Sequence, residues 1–592
     1  MWKLCVVVAA LLGCSEARPE KVVVQTEAGL VQGVTGAGIN NKGCPAALLP
    51  HGTPPSWLKV ASFYGIPFAE SPTGDLRFRP PEPRKSWAPH IFDAENPGPS
   101  CPQAPFMGHA PDWLPHWAGW SREEDCLRLN IWTASNVSAS PVSDENLRPV
   151  LVWLYPGSFV AGDSYKEMGC GLYTGQPWAA DEGLVVVSLN YRLGFLGFAD
   201  LPELREEGTA GNYGIQDQRL ALQWLQRNIK AFGGDPARVT IMGESSGAAS
   251  VLYHTILPKS QGLFSRAIVQ SGYDGTHHEG YPDVLNSQKA GLAFADTLGC
   301  KSSVPSCLRH APIDKILNAQ EEVLKQMDYV DTLMAFAPTA DGYEMPAGTS
   351  LLEEVRRHPP AVPLMIGSNL NETSMFFCSE LKADMSEADA IDSVRKIAGA
   401  RSNMNFTDED LQKIMSFYPV GPGGFDSWRS AVVGMSTDAY FTCAARYVAR
   451  SMPEDSEVYR YILKRSIRPA RSADSAAHCL GVPHTMDVFF VFSASLLGSL
   501  GSLKSLLFDE EDEALAKSIS KAWVKFARGE VPALPDVGIE FWPRWNNLNE
   551  PIAMLDSHAD VRLRHQAEAC DALESVGLVK LSFQKDESAV FV

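Results

Sequence analysis

The feature that most constrains this chain is a set of short apolar runs that do not alternate with polar residues. Val150-Leu151-Val152-Trp153-Leu154-Tyr155 and Leu184-Val185-Val186-Val187-Ser188-Leu189 carry apolar side chains at nearly every position. Successive strand residues point to opposite faces, so such runs suit strands covered on both sides, as in a parallel sheet. A different period follows. From Gln216 to Phe232, residues Leu220, Leu222, Trp224, Leu225 and Ile229 recur at roughly helical spacing. Arg238-Val239-Thr240-Ile241-Met242 then reads as another buried strand, and Arg266-Ala267-Ile268-Val269-Gln270 and Pro363-Leu364-Met365-Ile366-Gly367 continue the theme. Strands that alternate with crossover helices predict an α/β fold, with a large, mostly parallel central sheet flanked by helices and carrying inserted loops. Nearer the N-terminus, Val22-Val23-Val24 and Leu30-Val31-Gln32-Gly33-Val34 flank Glu27-Ala28-Gly29, a hairpin signal. Gly38 to Trp57 is rich in Gly and Pro and reads as a surface loop. No Pro- or Ser-rich linker divides the chain, which predicts one domain over residues 18–592.

One motif sits where this alternation gives it meaning. Gly243-Glu244-Ser245-Ser246-Gly247 directly follows the strand ending at Met242, and Ala248, Ala249 and Ser250 open a helical segment behind it. A G-x-S-x-G between strand and helix is the setting of a nucleophile elbow, in which a sharp turn presents the serine hydroxyl. Small residues are needed there because neighbouring backbone crowds the turn. An ordinary glycine-rich turn is the plainer alternative. The strand-turn-helix context favours Ser245 as a nucleophile.

The flanks resemble the type-B carboxylesterase/cholinesterase family. The matching residues are Gly211-Asn212-Tyr213-Gly214-Ile215-Gln216-Asp217-Gln218, Trp224, Asn228-Ile229, Phe232-Gly233-Gly234-Asp235-Pro236 and Val239-Thr240. Asn190-Tyr191-Arg192-Leu193-Gly194-Phe195 and Glu124-Asp125-Cys126-Leu127-Arg128-Leu129-Asn130-Ile131 extend the likeness, which runs from about residue 22 to 570. A member of this family is an α/β-hydrolase that cleaves carboxylic esters through an acyl-enzyme, with no metal or cofactor. A serine needs an adjacent base, and the base an orienting acid. The resemblance places the acid at Glu372, in Gly367-Ser368-Asn369-Leu370-Asn371-Glu372, and the base at His484, in Gly481-Val482-Pro483-His484. Thr373, Thr485 and Asp487 depart from the family's usual Gly, Gly and Glu. His478 is the nearest competitor for the base but lacks the leading glycine. Ser271 resembles the family's serine that buttresses the acid.

Acyl transfer builds negative charge on the carbonyl oxygen, so N–H donors must already point at it. One is expected from Ser246, just after the nucleophile. By resemblance the others fall on Gly157 and Ser158, in Tyr155-Pro156-Gly157-Ser158-Phe159, where the family usually has three glycines. Pro156 lacks an N–H but stands at the non-donating first position. Ser158 brings a Cβ that narrows the space above the reacting carbon. The resemblance also implies the disulfides Cys101–Cys126, Cys300–Cys307 and Cys443–Cys570 and a salt bridge between Arg77 and Glu124. It leaves Cys44, Cys170, Cys378 and Cys479 unassigned. In cholinesterases a tryptophan in the first disulfide loop stacks on the choline cation. Trp117 and Trp120 lie in that loop, but neither stands at the usual distance from Cys126. Thr332 and Met334 give a wider acyl lining than paired aromatics. Both points favour a general carboxylesterase, with lipase-like or cholinesterase-like substrate ranges as alternatives. A non-catalytic adhesion protein on the same fold, as in the neuroligin branch of the family, is the rival from another class. The presence of all three triad residues speaks against it.

The remaining properties fit this expectation. A net charge of −19 argues against a nucleic-acid partner, because phosphate binding wants basic clusters. The expected partner is a small-molecule or lipid ester. Lys3, the apolar run Leu4 to Leu12 and Ser15-Glu16-Ala17 read as a signal peptide over residues 1–17, which predicts secretion. Leu11-Leu12-Gly13-Cys14 keeps a lipid anchor on Cys14 as the alternative. No stretch reaches the roughly 18 apolar residues of a membrane span. Asn136 and Asn405 are the favoured glycosylation sites, and Asn371, beside the expected acid, is not.

Overall fold

The computed structural model describes residues 20–35, 59–103, 121–137, 143–165, 171–208, 211–272, 284–326, 336–346, 351–378, 380–402, 406–471, 480–493 and 504–578. The expectations placed on the leader, Cys14, Cys44, Trp117, Trp120, Cys170, Thr332, Met334, Asn405, His478, Cys479 and the loop 38–57 lie outside these residues.

Among the described residues, thirteen strands form one sheet. In chain order they are β1 (Glu20–Thr26), β2 (Gly29–Thr35), β3 (Val60–Pro67), β4 (Ile91–Asp93), β5 (Arg128–Ala134) and β6 (Arg148–Leu154). Then come β7 (Val185–Leu189), β8 (Gly234–Glu244), β9 (Arg266–Gln270), β10 (Leu364–Asn369), β11 (Val458–Leu463), β12 (Pro551–Leu555) and β13 (Asp560–Leu563). Their spatial order is β1-β2-β3-β5-β7-β6-β8-β9-β10-β11-β12-β13, with β4 added beside β2. The run from β7 to β12 is parallel throughout. Antiparallel pairs close both edges: β1 to β7 on one side and β12 with β13 on the other. The non-alternating runs do what their pattern requires. Every residue of β7, β10 and β11 is buried, and β6 is buried from Pro149 onward.

Helix Ser246–Ile256 packs on β8 and β9. Helix Glu510–Arg528 packs on β6 and β8, and its Trp523 ring lies 5.0 Å from that of Tyr461 on β11. A reciprocal cap starts the latter helix: the Asp509 carboxylate accepts from the Asp512 N–H, and the Asp512 carboxylate from the Asp509 N–H. The N-terminal hairpin forms, with Thr26 opposite Gly29. Two expected boundaries shift. The helix expected from Gln216 begins at Tyr213 and ends at Asn228, with a 3-10 turn over Ile229–Phe232. The strand expected from Arg238 begins at Gly234, which pairs with Arg148 before the register slips.

One helix is interrupted by a π-helical turn over Asp438–Thr442, a geometry frequent at functional sites. Its first residue, Asp438, is buried and accepts a 3.0 Å hydrogen bond from the Tyr418 hydroxyl. Burial pushes its carboxyl up to about 7. The folded chain therefore holds a proton there that the unfolded chain has released above about pH 4, and stability falls as pH rises from about 4 through 7. Asp438→Asn is expected to be more stable than wild type at pH 8 by about 1–3 kcal/mol, with the gain fading toward pH 4. Thermal melts across that range test this, and an equal gain at both ends would refute it.

Candidate active site

Ser245 stands at the apex between β8 and the helix Ser246–Ile256, with φ +54° and ψ −123°. A non-glycine residue in that region carries about 1–3 kcal/mol of strain and persists only where its surroundings enforce it. They do so here. The Ser245 N–H donates to Gln270 O at 3.1 Å, anchoring the turn to the end of β9. A Cβ on Gly243 would meet the Gly247 carbonyl at 2.4 Å, and one on Gly247 would lie 2.1 Å from Leu154 O on β6. Both glycines are thus required by close backbone approach. The Ser245 side chain is half-buried, and its hydroxyl makes no capping hydrogen bond to the helix it precedes.

Glu372 follows β10 and is fully buried. One carboxylate oxygen accepts from the Ser271 hydroxyl at 2.6 Å and from the Asn369 N–H at 2.5 Å, and the other lies 2.6 Å from His484 Nδ1. The structure therefore brings Ser271, Glu372 and His484 together in one chain of contacts. With Nδ1 turned to the carboxylate, Nε2 is the ring nitrogen left for chemistry. Nε2 lies 3.4 Å from Glu244 Oε1. The imidazole is flanked by the rings of Phe376 and Phe441, at 5.3 and 5.1 Å. Phe441 comes from the π-helical turn.

Two family departures have local explanations. The Thr373 hydroxyl, buried, contacts Val433 O at 3.0 Å and Ser436 Oγ at 2.6 Å, tying the Glu372 loop to helix Trp428–Thr437. Asp487 accepts from Tyr461 Oη at 2.9 Å and from Gln270 Nε2 at 3.0 Å, so the shorter acid is fully engaged within the sheet's end. Thr485 takes φ +69°, a strained backbone that glycine would adopt freely.

The loop after β6 carries the other expected donors. Ser158 and Phe159 both lie in the left-handed region, at φ +52° and +60°, beside Gly157 at +121°. The turn is closed by Val160 N and Ala161 N donating to Gly157 O, which leaves the N–H groups of Gly157 and Ser158 without partners among the described residues. Tyr155 and Tyr191 brace its base: their rings stack at 4.6 Å and each hydroxyl donates to the other's carbonyl.

Glu244 is a residue that motif reasoning passes over, because the x of G-x-S-x-G carries no constraint. It is fully buried, with Oε1 3.4 Å from His484 Nε2 and the Thr485 backbone beside its carboxyl. Burial first, and then the Asp487 and Glu372 carboxylates, hold its own carboxyl well above the usual range. Among the described residues, no group of three or more His, Cys, Asp and Glu side chains is placed to hold a metal ion.

The surrounding framework matches expectation in its covalent links. Cys101–Cys126, Cys300–Cys307 and Cys443–Cys570 are bonded. Cys378, for which the sequence implied no pairing, is also in a disulfide. Arg77 and Glu124 pair at 2.6 Å. Asn136 is exposed in a turn.

The model of the carboxylesterase family matches residues 51–573. A cholinesterase of Mus musculus is 30% identical over 520 residues, covering 84% of this chain and 80% of its own. An acetylcholinesterase of Bungarus fasciatus is 31% identical over 504 residues, covering 82% of this chain and 77% of its own. Among solved structures, a PNB esterase superposes with a TM-score of 0.71 at 26% identity, spanning 93% of this chain and 99% of the esterase. A thermophilic PNB esterase gives 0.71 at 25% identity, spanning 93% and 100%. The chain belongs to the carboxylesterase family: it has the α/β-hydrolase fold and is a carboxylic ester hydrolase of the serine-esterase class.

Proposed function

We propose that Ser245, His484 and Glu372 are the catalytic triad of a secreted, single-domain enzyme that cleaves esters through an acyl-enzyme. The observation that carries this reading is the strained Ser245 apex together with the buried Glu372–His484 pair at 2.6 Å. Ser245 Oγ attacks the ester carbonyl while His484 Nε2 takes its proton. His484 returns that proton to the departing alcohol, then activates a water that releases the acid. Glu372 fixes the imidazole tautomer and stabilises its charged form, and Ser271 steadies Glu372. The N–H groups of Gly157, Ser158 and Ser246 receive the oxyanion. Export through the secretory route is consistent with the disulfides, and Asn136 and Asn405 would then carry glycans.

The test is a panel of p-nitrophenyl esters of increasing acyl length, with a choline ester beside them. Hydrolysis of short and medium acyl chains, with a weak choline ester response, is expected. A preference for the choline ester or for long chains would move the assignment to a cholinesterase-like or lipase-like range. Inactivity on every ester would point to a binding protein.

The Ser158 side chain gives this site a feature of its own. Its Cβ stands in the donor loop, at a left-handed residue that glycine would occupy without strain. Ser158→Gly is expected to shift the kcat/KM ratio of bulky to small acyl esters toward the bulky ones by about tenfold, the effect of a methylene-sized change in a pocket. An unchanged ratio would remove Ser158 as a specificity residue.

A further inference from the structure

The acid and the base reach each other from segments 112 residues apart in sequence. His484 belongs to a loop, residues 480–485, that is not itself a strand of the sheet. Something must hold that loop in register with the end of β10. Part of the answer is backbone: His484 N donates to Glu372 O at 3.2 Å. The rest centres on Asn371. Its N–H donates to Val482 O at 3.0 Å, and its side-chain Oδ1 accepts from Val482 N, also at 3.0 Å. A side-chain oxygen thus completes a two-way pairing of the kind that a strand ladder makes with backbone alone. The fit is closed from the other side too. A Cβ on Gly481 would come within 2.3 Å of Asn371 Oδ1, so the base's loop can approach only because residue 481 has no side chain. Ser374 Oγ, 2.5 Å from Leu480 O, extends the seam.

Asn371-Glu372-Thr373 reads in sequence as a glycosylation sequon. In the folded chain both of its defining side chains are engaged inside the protein: Asn371 on the base's loop, Thr373 on helix Trp428–Thr437.

We propose that Asn371 is a positioning residue for the triad, a clasp that sets the distance and angle between Glu372 and His484 through the backbone of Val482. This rests on the triad reading above. Misplacing catalytic groups by an ångström costs on the order of 100-fold in rate, so loss of the clasp is read in turnover before it is read in folding.

Asn371→Ala removes the acceptor and Asn371→Asp keeps it while adding a negative charge near the imidazole. On p-nitrophenyl acetate, Asn371→Ala is expected to lower kcat by about 10- to 100-fold with KM within about twofold, and with little change in melting temperature. Asn371→Asp is expected to recover most of kcat and to move the acidic limb of the kcat/KM profile to higher pH, because the charge favours the protonated imidazole. That second variant reads the clasp even if the alanine variant fails to fold. An alanine variant with wild-type kcat would overturn the proposal. So would an aspartate variant whose pH profile is unmoved, or parallel losses of kcat and melting temperature in both variants. Ser245→Ala, run alongside, separates the two readings. If it is inactive while Asn371→Ala is normal, only the clasp falls; if it remains active, the triad itself is wrong.

Discussion

Ser245→Ala should remove ester hydrolysis almost completely while leaving the protein folded. In a serine hydrolase the nucleophile, base and acid act as a unit, and deleting the serine costs on the order of 10⁶ in kcat, with a residual of about 10³ over water from the oxyanion donors and binding. Substrate affinity should change little, because the hydroxyl is one small group at the edge of the site. Stability should hold or fall slightly. The hydroxyl makes no capping hydrogen bond to the helix, and the strain at φ +54° remains whatever the side chain. Stopped assays on p-nitrophenyl acetate with active-site titration by an organophosphate give the readout. Undiminished turnover, or continued labelling of the variant, would place the nucleophile elsewhere.

Gly247→Ala should be the most damaging small substitution near the site, and it should act on the fold rather than the chemistry. The added methyl would lie 2.1 Å from Leu154 O and 2.9 Å from Tyr155 O. Those atoms belong to the end of β6 and the loop that follows it, at the centre of a closely packed sheet, and have nowhere to move. Overpacking of a core by one methylene costs about 1–3 kcal/mol, and contact with rigid backbone puts this case at or above the upper end. The helix Ser246–Ile256 must then shift away from β6, taking the Ser246 N–H and the Ser245 apex with it. The expected outcome is a large fall in soluble yield and melting temperature, and a collapse of kcat/KM in whatever folds. Wild-type melting with normal kcat/KM would show that the elbow is looser than its distances indicate.

The parts of this molecule legible in its sequence are those where one residue type answers one physical demand. The apolar runs at Val150 and Leu184 announce strands covered on both faces, and β6 and β7 are such strands. The glycines at 243 and 247 mark close backbone approach, which the distances bear out. What escaped was set by partners distant in sequence. The helix read from Gln216 begins at Tyr213, with that residue and Ile215 buried in the core. The strand read from Arg238 begins at Gly234, whose pairing with Arg148 brings Asp235-Pro236 into β8. Glu244 gives no local sign of lying against His484, and Phe441 meets that ring from a π-helical turn that has no signature in the sequence. The disulfide at Cys378 likewise had no signature.

The separation of acid from base along the chain has a consequence for how such an enzyme can change. Between Glu372 and His484 lie several helices and β11, a stretch long enough to be rewritten in length and composition. The loops of the proposed acid and base are bonded directly to each other, through Asn371 and Val482, as well as through the elements between them. That path also meets the site, through Phe376 and Phe441 against the imidazole and through Tyr461, which donates to Asp487. The intervening segment therefore carries a buried strand of the sheet and also lines the imidazole, so substitutions in its helices can reach one wall of the site while β11 and the Asn371–Val482 pairing keep the proposed acid and base together.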